Sequence, residues 1–543
     1  MTGEGTDDCR HQTEVVVIGA GMSGIAAVIA LHRAGIDDVV LLEKADRLGG
    51  TWRDNTYPGC GCDVPSVLYE YSFAPNSWSR SFAAQPEILK YLETTAESRG
   101  AAKAIRYGTE VLAGHWDSDT HRWQLTTTAG TWITRAVIVA TGPWHRPRYP
   151  DIPGLDGFPG TVFHSAHWDH DADLTGRRIA VVGTGASTVQ FLPEIQPQAA
   201  HVDVFQSTPQ WVLPKPDRPL SPRLRGFLER RPAARRLVRR LQHWTQESIG
   251  LPLRHPGLLT PLEAMARLHL RAAVSDPALR AALTPRYRLG GRRLIASSTY
   301  YPALTRPNVQ LRPTRVTAVH GSHVLGADGS RTTANVIILA TGFHIGDLPL
   351  APGLHGLHGT TLAQTWAEHR RAYLGTSISG FPNLFLLLGP NILTGTTAVP
   401  TVLEAQLRYI TTALGHLYSS ENTALDVKPE VEETHHQALQ HALRRTVYDT
   451  ADGSSSYYFG LPGVNTFCWP WSTGRLLKRL HTFTPEVYTW QRADPPGRQP
   501  GVPPAARRPR DDDAVRTSSA STATSSTPVS NGNAGSAPTA TPS

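Results

Sequence analysis

Glu14-Val15-Val16-Val17-Ile18-Gly19-Ala20-Gly21-Met22-Ser23-Gly24 joins an apolar run to a glycine turn. Glu14–Ile18 reads as a buried parallel strand, and the residues after the turn as a helix to about Ala34. A second strand, Val39–Leu42, ends at the acid Glu43. Strand, G-x-G-x-x-G, helix and an acid about 20 residues on form a dinucleotide-binding unit. Gly19 makes the tight turn, Gly21 admits a pyrophosphate, and Gly24 allows helix–strand packing. The free N–H groups and dipole of the helix N-terminus favour phosphate. Glu43 is expected to accept hydrogen bonds from a ribose diol, which favours an unphosphorylated adenosine ribose, as in FAD.

Gly49-Gly50-Thr51-Trp52-Arg53-Asp54-Asn55-Thr56-Tyr57-Pro58-Gly59-Cys60-Gly61-Cys62-Asp63 follows this unit. Its glycines let backbone approach a flat ring, Trp52 can pack on such a ring, and Asp63 closes the stretch with a fixed charge. Gly50, Thr51, Trp52, Asp63 and Tyr69 are placed on the flavin side. Val137–Gly142 and its near copy Val336–Phe343 mark points where the chain crosses between domains.

A second unit begins at Arg178 with strand Ile179–Val182, the turn Gly183-Thr184-Gly185-Ala186-Ser187-Thr188, and strand Val202–Phe205. The third glycine position is Thr188, and no acid follows the second strand, which permits a 2′-phosphate and hence NADP. Gly183, Gly185, Ser187 and Thr208 are placed on that side. The fold class expected is α/β, with two dinucleotide-binding Rossmann-like domains, a helical insert and a disordered C-terminal tail. The boundaries read 1–148 (FAD domain, first part), 149–335 (NADP domain, with the insert at about 219–288), 336–492 (FAD domain, second part) and 493–543 (tail). The tail is rich in Pro, Ser, Thr, Ala and Gly and has too few large apolar residues to fold.

The formal charge of +8 is regional, because residues 219–288 hold 14 Arg, no Lys and 4 acids. There is no nucleic-acid motif, and no nucleic-acid partner is expected. In the insert, Leu237, Leu241 and Trp244 fall at helical spacing beside arginine pairs, a pattern of contact with anionic membranes. Pro232, Pro252, Pro256, Pro261, Pro277 and Pro285 are expected to break any long amphipathic face, so a solvated cover over the active site is the preferred reading. The four cysteines Cys9, Cys60, Cys62 and Cys468 give neither a disulfide framework nor a zinc site, and no metal is expected. A reduced, cytoplasmic protein is the simplest reading. The acids Glu4, Asp7, Asp8 and Glu14 before the apolar run have the wrong sign for a signal peptide.

Phe158-Pro159-Gly160-Thr161-Val162-Phe163-His164-Ser165-Ala166-His167-Trp168-Asp169 lies between the two units. It resembles the F-x-G-x-x-x-H-x-x-x-W-D fingerprint of type I Baeyer–Villiger monooxygenases, and Gly49–Asp63 resembles that family's G-G-x-W-x-x-x-x-Y-P-G-x-x-x-D signature. The likeness covers roughly residues 12–490. A third segment, Gly290–Leu294 followed by Tyr300–Leu304, resembles the one that carries a Lys-Arg pair in the family; the arginine maps to Arg293, and the lysine position is Arg292, which the resemblance places on the NADP side. The resemblance implies a flavoprotein in which NADPH reduces FAD, a C4a-peroxyflavin forms with O₂, and its anion attacks a ketone to give an ester or lactone. Arg293 would stabilise that anion and Asp63 would hold Arg293. His164 and Trp168 would be structural.

Two features depart from the family pattern. Ser207-Thr208 lacks the arginine that commonly precedes the threonine, and the loop Asn391–Pro400 lacks the usual histidine pair. The preference for NADPH over NADH and the ketone itself stay open, with a larger specialised metabolite as one option. Two other readings compete. One is a flavin monooxygenase acting on nitrogen or sulfur, whose fingerprint usually lacks the Trp168-Asp169 ending. The other is an NADPH-dependent disulfide reductase, which would need Cys60 and Cys62 as its redox pair, one residue closer than the usual spacing. A flavin-binding protein without catalysis is disfavoured by the completeness of both signatures.

Overall fold

The computed structural model describes residues 10–449 and 464–492. The tail expected from residue 493 onward lies outside the described residues.

Consecutive valines, isoleucines and leucines favour a strand buried on both faces, as in sheets covered by helices on each side. Arg10–Ile18 and Val39–Leu42 are such strands, parallel, with Val15 opposite Val39 and Ile18 opposite Leu42. Val15, Val16 and Val17 are fully buried. Each contributes roughly 1.5–3 kcal/mol of apolar burial. They belong to a sheet that runs in space Leu354–His355, Val111–Asp117, Arg122–Thr127, Gly130–Val139, Arg10–Ile18, Val39–Leu42 and Ile105–Arg106. An eighth strand, Leu384–Leu386, pairs in parallel with the end of Gly130–Val139. The helix Met22–Arg33 connects the first two strands. A Cβ on Gly24 would lie 1.9 Å from the carbonyl oxygen of Gly19, so only glycine lets this helix close on its strand.

The second sheet is parallel throughout, in the order Val309–Arg312, His201–Phe205, Arg178–Val182, Val336–Leu339 and Thr161–His164. The helix Ala186–Ile195 follows its glycine turn. Thr188, at the third glycine position, is buried and bonds back to the Gly183 carbonyl through its hydroxyl at 2.9 Å, so its bulk is accommodated by a turn contact.

One boundary differs from the sequence reading. Val336–Leu339 was expected to open the second part of the first domain, yet it is the fourth strand of the second sheet, between Arg178–Val182 and Thr161–His164. Its hydrophobic run suits either sheet, and pairing register decides. The chain therefore returns to the first sheet only after Leu339. The two crossings run side by side: Arg148 N–H donates to Gly342 O at 2.8 Å, and His344 N–H to Arg146 O at 2.9 Å.

Most prolines of the insert divide it into short helices as expected, with Pro256, Pro261 and Pro277 at the starts of successive elements, but one long helix survives. Pro232 opens the helix Pro232–Arg254, where its missing N–H costs nothing, and Pro252 lies in the last turn. The helix runs 23 residues. Two shorter helices, Pro222–Arg230 and Thr260–Ala273, flank it. Arg235 pairs with the buried Glu70 at 2.8 Å through Nε, and Arg239 donates to the carbonyls of Val67 and Glu70 at 3.1 and 2.8 Å.

Candidate active site

Gly49–Asp63 connects the two units physically. At one end, Gly50 adopts φ +52°, and a Cβ there would come within 3.1 Å of the Gly21 Cα, at the N-terminus of the first dinucleotide helix. At the other end, a Cβ on Gly59 would meet the Gln190 carbonyl oxygen at 2.6 Å, on the second dinucleotide helix. The segment is thus held between both helices.

Gln190 fastens it. Its Oε1 accepts from the Tyr57 hydroxyl at 2.9 Å and from Gly61 N–H at 3.4 Å. Its Nε2 donates to Gly61 O at 3.0 Å and to Asp63 Oδ1 at 3.2 Å. Asp63 faces two cations besides. Arg293 Nη2 lies 3.4 Å from Asp63 Oδ2, and Lys215 Nζ lies 3.6 Å from Oδ1. Lys215 also donates to Cys62 O at 2.9 Å and stands over the Phe82 ring. Asp63 thus lies between two cations. The Asp63 side chain is largely buried, whereas that of Arg293 is 41% exposed over the Trp144 ring. Lys215 and Gln190 were not singled out in the sequence. The signal available for Gln190 was a polar side chain between Val189 and Phe191 in an apolar helix; Lys215 gave none beyond being a rare lysine.

The remaining expected residues fall into two groups. On the first side, Trp52 is buried, its indole N–H 3.2 Å from the Tyr69 hydroxyl and its ring edge-on to Tyr69. Thr51 opens the short helix Thr51–Asp54. Glu43 is buried and already engaged by Ala20 N–H at 2.7 Å, Ala45 N–H at 3.0 Å and Arg53 Nη1 at 3.0 Å. A carboxylate has about four acceptor sites, so it retains room for one further donor rather than both hydroxyls of a diol. On the second side, the Thr208 carbonyl accepts from the Thr184 hydroxyl at 3.3 Å, and Ser207 is exposed. Arg292 stands over Tyr287, its buried Nε without a hydrogen-bond partner.

These features suit two bound dinucleotides. Gly21 and Gly185 are the N-caps of their helices, and no side chain caps either one. No atom lies within 4 Å of where a Gly185 Cβ would sit, which leaves a cradle for phosphate. The orphaned Arg292 Nε is a donor suited to an anion. A third helix N-terminus, at Val399–Tyr418, lacks a side-chain cap as well, and the hydroxyls of Thr396, Thr397 and Thr401 around it are buried without partners. This helix packs on Met22–Arg33.

The fingerprint residues make packing and turn contacts. Trp168 packs on Phe163 and Phe191. A Cβ on Gly160 would strike the Asn335 carbonyl. His164 accepts from Ala166 N–H at 3.0 Å and lies between Tyr149 and Phe343 of the two crossings. Burial pushes its imidazole down to about 4, so it is neutral at working pH. Cys60 and Cys62 are free and buried, and burial pushes both thiols up to about 12. Burial thus disfavours the thiolate that disulfide chemistry needs.

A family model described as pyridine nucleotide-disulphide oxidoreductase matches residues 16–243. A Baeyer–Villiger monooxygenase of Streptomyces coelicolor is 43% identical over 86% of this chain and 90% of its own length. One of Pseudomonas aeruginosa is 37% identical over 90% of this chain and 93% of its own. Among solved structures, the closed crystal structure of cyclohexanone monooxygenase matches with a TM-score of 0.79 at 26% identity, over 89% of this chain and 100% of that one. Oxidized steroid monooxygenase bound to NADP matches with a TM-score of 0.78 at 28% identity, over 89% and 100%.

Proposed function

The chain belongs to the Baeyer–Villiger monooxygenases, and on that premise we propose that Asp63, Lys215 and Arg293 form its reaction centre, with Gln190 positioning Asp63. The enzyme uses FAD and NADPH to insert one oxygen atom of O₂ next to a ketone carbonyl, giving an ester or lactone. FAD, when bound, accepts hydride from NADPH and activates O₂.

The protein's part is to hold both dinucleotides and to stabilise negative charge at oxygen in a water-poor site. Gly19, Gly21, Gly24, Glu43, Gly50, Thr51, Trp52, Asp63 and Tyr69 would hold FAD, with the uncapped helix at Val399 and its threonine hydroxyls as further donors. Gly183, Gly185, Ser187, Thr208 and Arg292 would hold NADPH. The missing arginine before Thr208 is offset by Arg292, whose unpaired Nε suits a phosphate. Arg293 keeps its charge when desolvated, which a lysine does less well. Asp63 would hold the Arg293 guanidinium in place, where it would stabilise negative charge developing on oxygen. We place the protein in the cytoplasm, in keeping with its buried free cysteines.

The approach of Asp63 to Arg293, at 3.4 Å across 230 residues of chain, carries this reading. It is tested by purifying the protein, measuring its flavin, and following NADPH oxidation with a panel of ketones, amines and sulfides. One ester or lactone formed per NADPH with some ketone supports it. Oxygenation of amines or sulfides with no ketone turned over would replace it with the heteroatom reading.

A further inference from the structure

Among the described residues, nine of the twelve exposed large hydrophobic side chains lie between Leu224 and Leu268, in the arginine-rich insert. The helix Pro232–Arg254 packs Val238 and Leu253 inward yet turns a second apolar stripe outward. At 100° per residue, Leu237, Leu241, Trp244 and Leu251 share about 80° of arc. That stripe faces solvent, with Trp244 64% exposed. The opposite face carries Arg235 and Arg239, and these point inward onto Glu70 and its neighbouring carbonyls. Leu258 and Leu268, the latter 67% exposed, are further exposed apolar residues of the insert. Exposed Arg236 and Arg240 border the stripe on the same helix. A scattered apolar residue on a surface is ordinary, but a concentrated set turned outward from a docked helix calls for an occupant.

We propose that this face of the insert docks on the surface of an anionic phospholipid bilayer. The contact is interfacial: among the described residues no helix is long and apolar enough to cross a membrane. Leucines and Trp244 enter the headgroup boundary while the bordering arginines meet lipid phosphates, the pattern of an in-plane amphipathic helix. Charge argues against a second copy of this chain as the occupant. The insert holds 14 Arg and 4 acids between residues 219 and 288, so a symmetric pairing would set two strongly basic surfaces together. The sequence alone favoured a solvated cover because its prolines were expected to interrupt the face; within the long helix, however, Pro232 lies at the first position and Pro252 in the last turn, so the stripe from Leu237 to Leu251 is continuous.

The test is co-sedimentation of the full chain with vesicles of phosphatidylglycerol and, separately, of phosphatidylcholine, at about 20 mM salt, where charge is little screened. The wild type should pellet with phosphatidylglycerol and stay in solution with phosphatidylcholine. The triple variant Leu237→Ser, Leu241→Ser, Trp244→Ser should lose at least about tenfold in partitioning while keeping its flavin content and melting temperature. None of the three touches the reaction centre, so vesicle binding is read independently of activity. A wild type that stays in solution with both lipids, equal binding to both, or a triple variant that still pellets would overturn the proposal. So would a concentration-dependent dimer, seen by light scattering, that the triple variant abolishes.

Discussion

At the scale of single residues, the reaction centre is a charge arrangement more than a set of reactive groups. Asp63 meets Arg293, Lys215 and Gln190 at 3.4, 3.6 and 3.2 Å. Gln190 belongs to the second dinucleotide unit and spends every polar atom of its side chain on Tyr57, Gly61 and Asp63. Gln190→Leu should therefore release Asp63 without touching either phosphate site. A hydrogen bond to a charged group is worth roughly 1.5–3 kcal/mol, so kcat for ester formation should fall about tenfold or more. The KM for NADPH should hold, while NADPH consumed per ester formed rises. An unchanged ratio of NADPH to product would remove Gln190 from the mechanism. The approach of Asp63 to Arg293 is legible in sequence because each sits in a gapped motif. Lys215 and Gln190 were not, since their roles come from tertiary approach rather than local pattern.

Asp426 gives a second test at this scale. Its carboxylate accepts from Gly380 N–H, yet burial pushes it up to about 7. The unfolded chain loses that proton near the ordinary value of about 3.9. Between these two values the native state binds more protons, so stability falls as pH rises from about 4 to 7. Asp426→Asn removes this titration. The difference in unfolding free energy, variant minus wild type, should move in the variant's favour by roughly 2–3 kcal/mol between pH 5 and pH 8. Denaturant unfolding at the two pH values measures it, and a difference that stays flat would contradict the burial argument.

Among the elements, the insert departs furthest from its sequence reading. Its arginines looked like one solvated class. In the structure Arg235 and Arg239 fasten the helix to the segment around Glu70, and Arg236 and Arg240 stand in solvent. No local pattern separates the two pairs, because Glu70 lies more than 160 residues away. Removing one partner of a buried ion pair strands the other, at a cost of about 3–5 kcal/mol. Arg235→Ala should lower the melting temperature by several degrees, whereas Arg236→Ala should leave it nearly unchanged. Equal effects from the two would mean the inward pairing contributes nothing. By contrast, both glycine turns and their helices were legible to within a residue or two, since each is defined by local sterics such as the clash a Cβ on Gly24 would make with Gly19.

For the molecule as a whole, two sheets are joined by two chain crossings that lie side by side, with the neutral His164 between Tyr149 and Phe343. The sequence marked both crossings through the paired runs Val137–Gly142 and Val336–Phe343. It misassigned the strand Val336–Leu339, because an apolar parallel strand carries no label for the sheet it will join. The consequence for catalysis is that Asp63, from the first part of the chain, and Arg293, beyond the second dinucleotide unit, meet only when the whole molecule is assembled. Coupling of NADPH oxidation to oxygen insertion is then a property of that assembly, with Arg293 at its centre. The most direct measurement is the yield of ester per NADPH consumed by Arg293→Ala, with hydrogen peroxide followed in parallel. The expected result is continued NADPH oxidation, peroxide in place of ester, and no oxygenated ketone. Ester formed by this variant at the wild-type yield would contradict the assignment of Arg293 and, with it, the role given to Asp63.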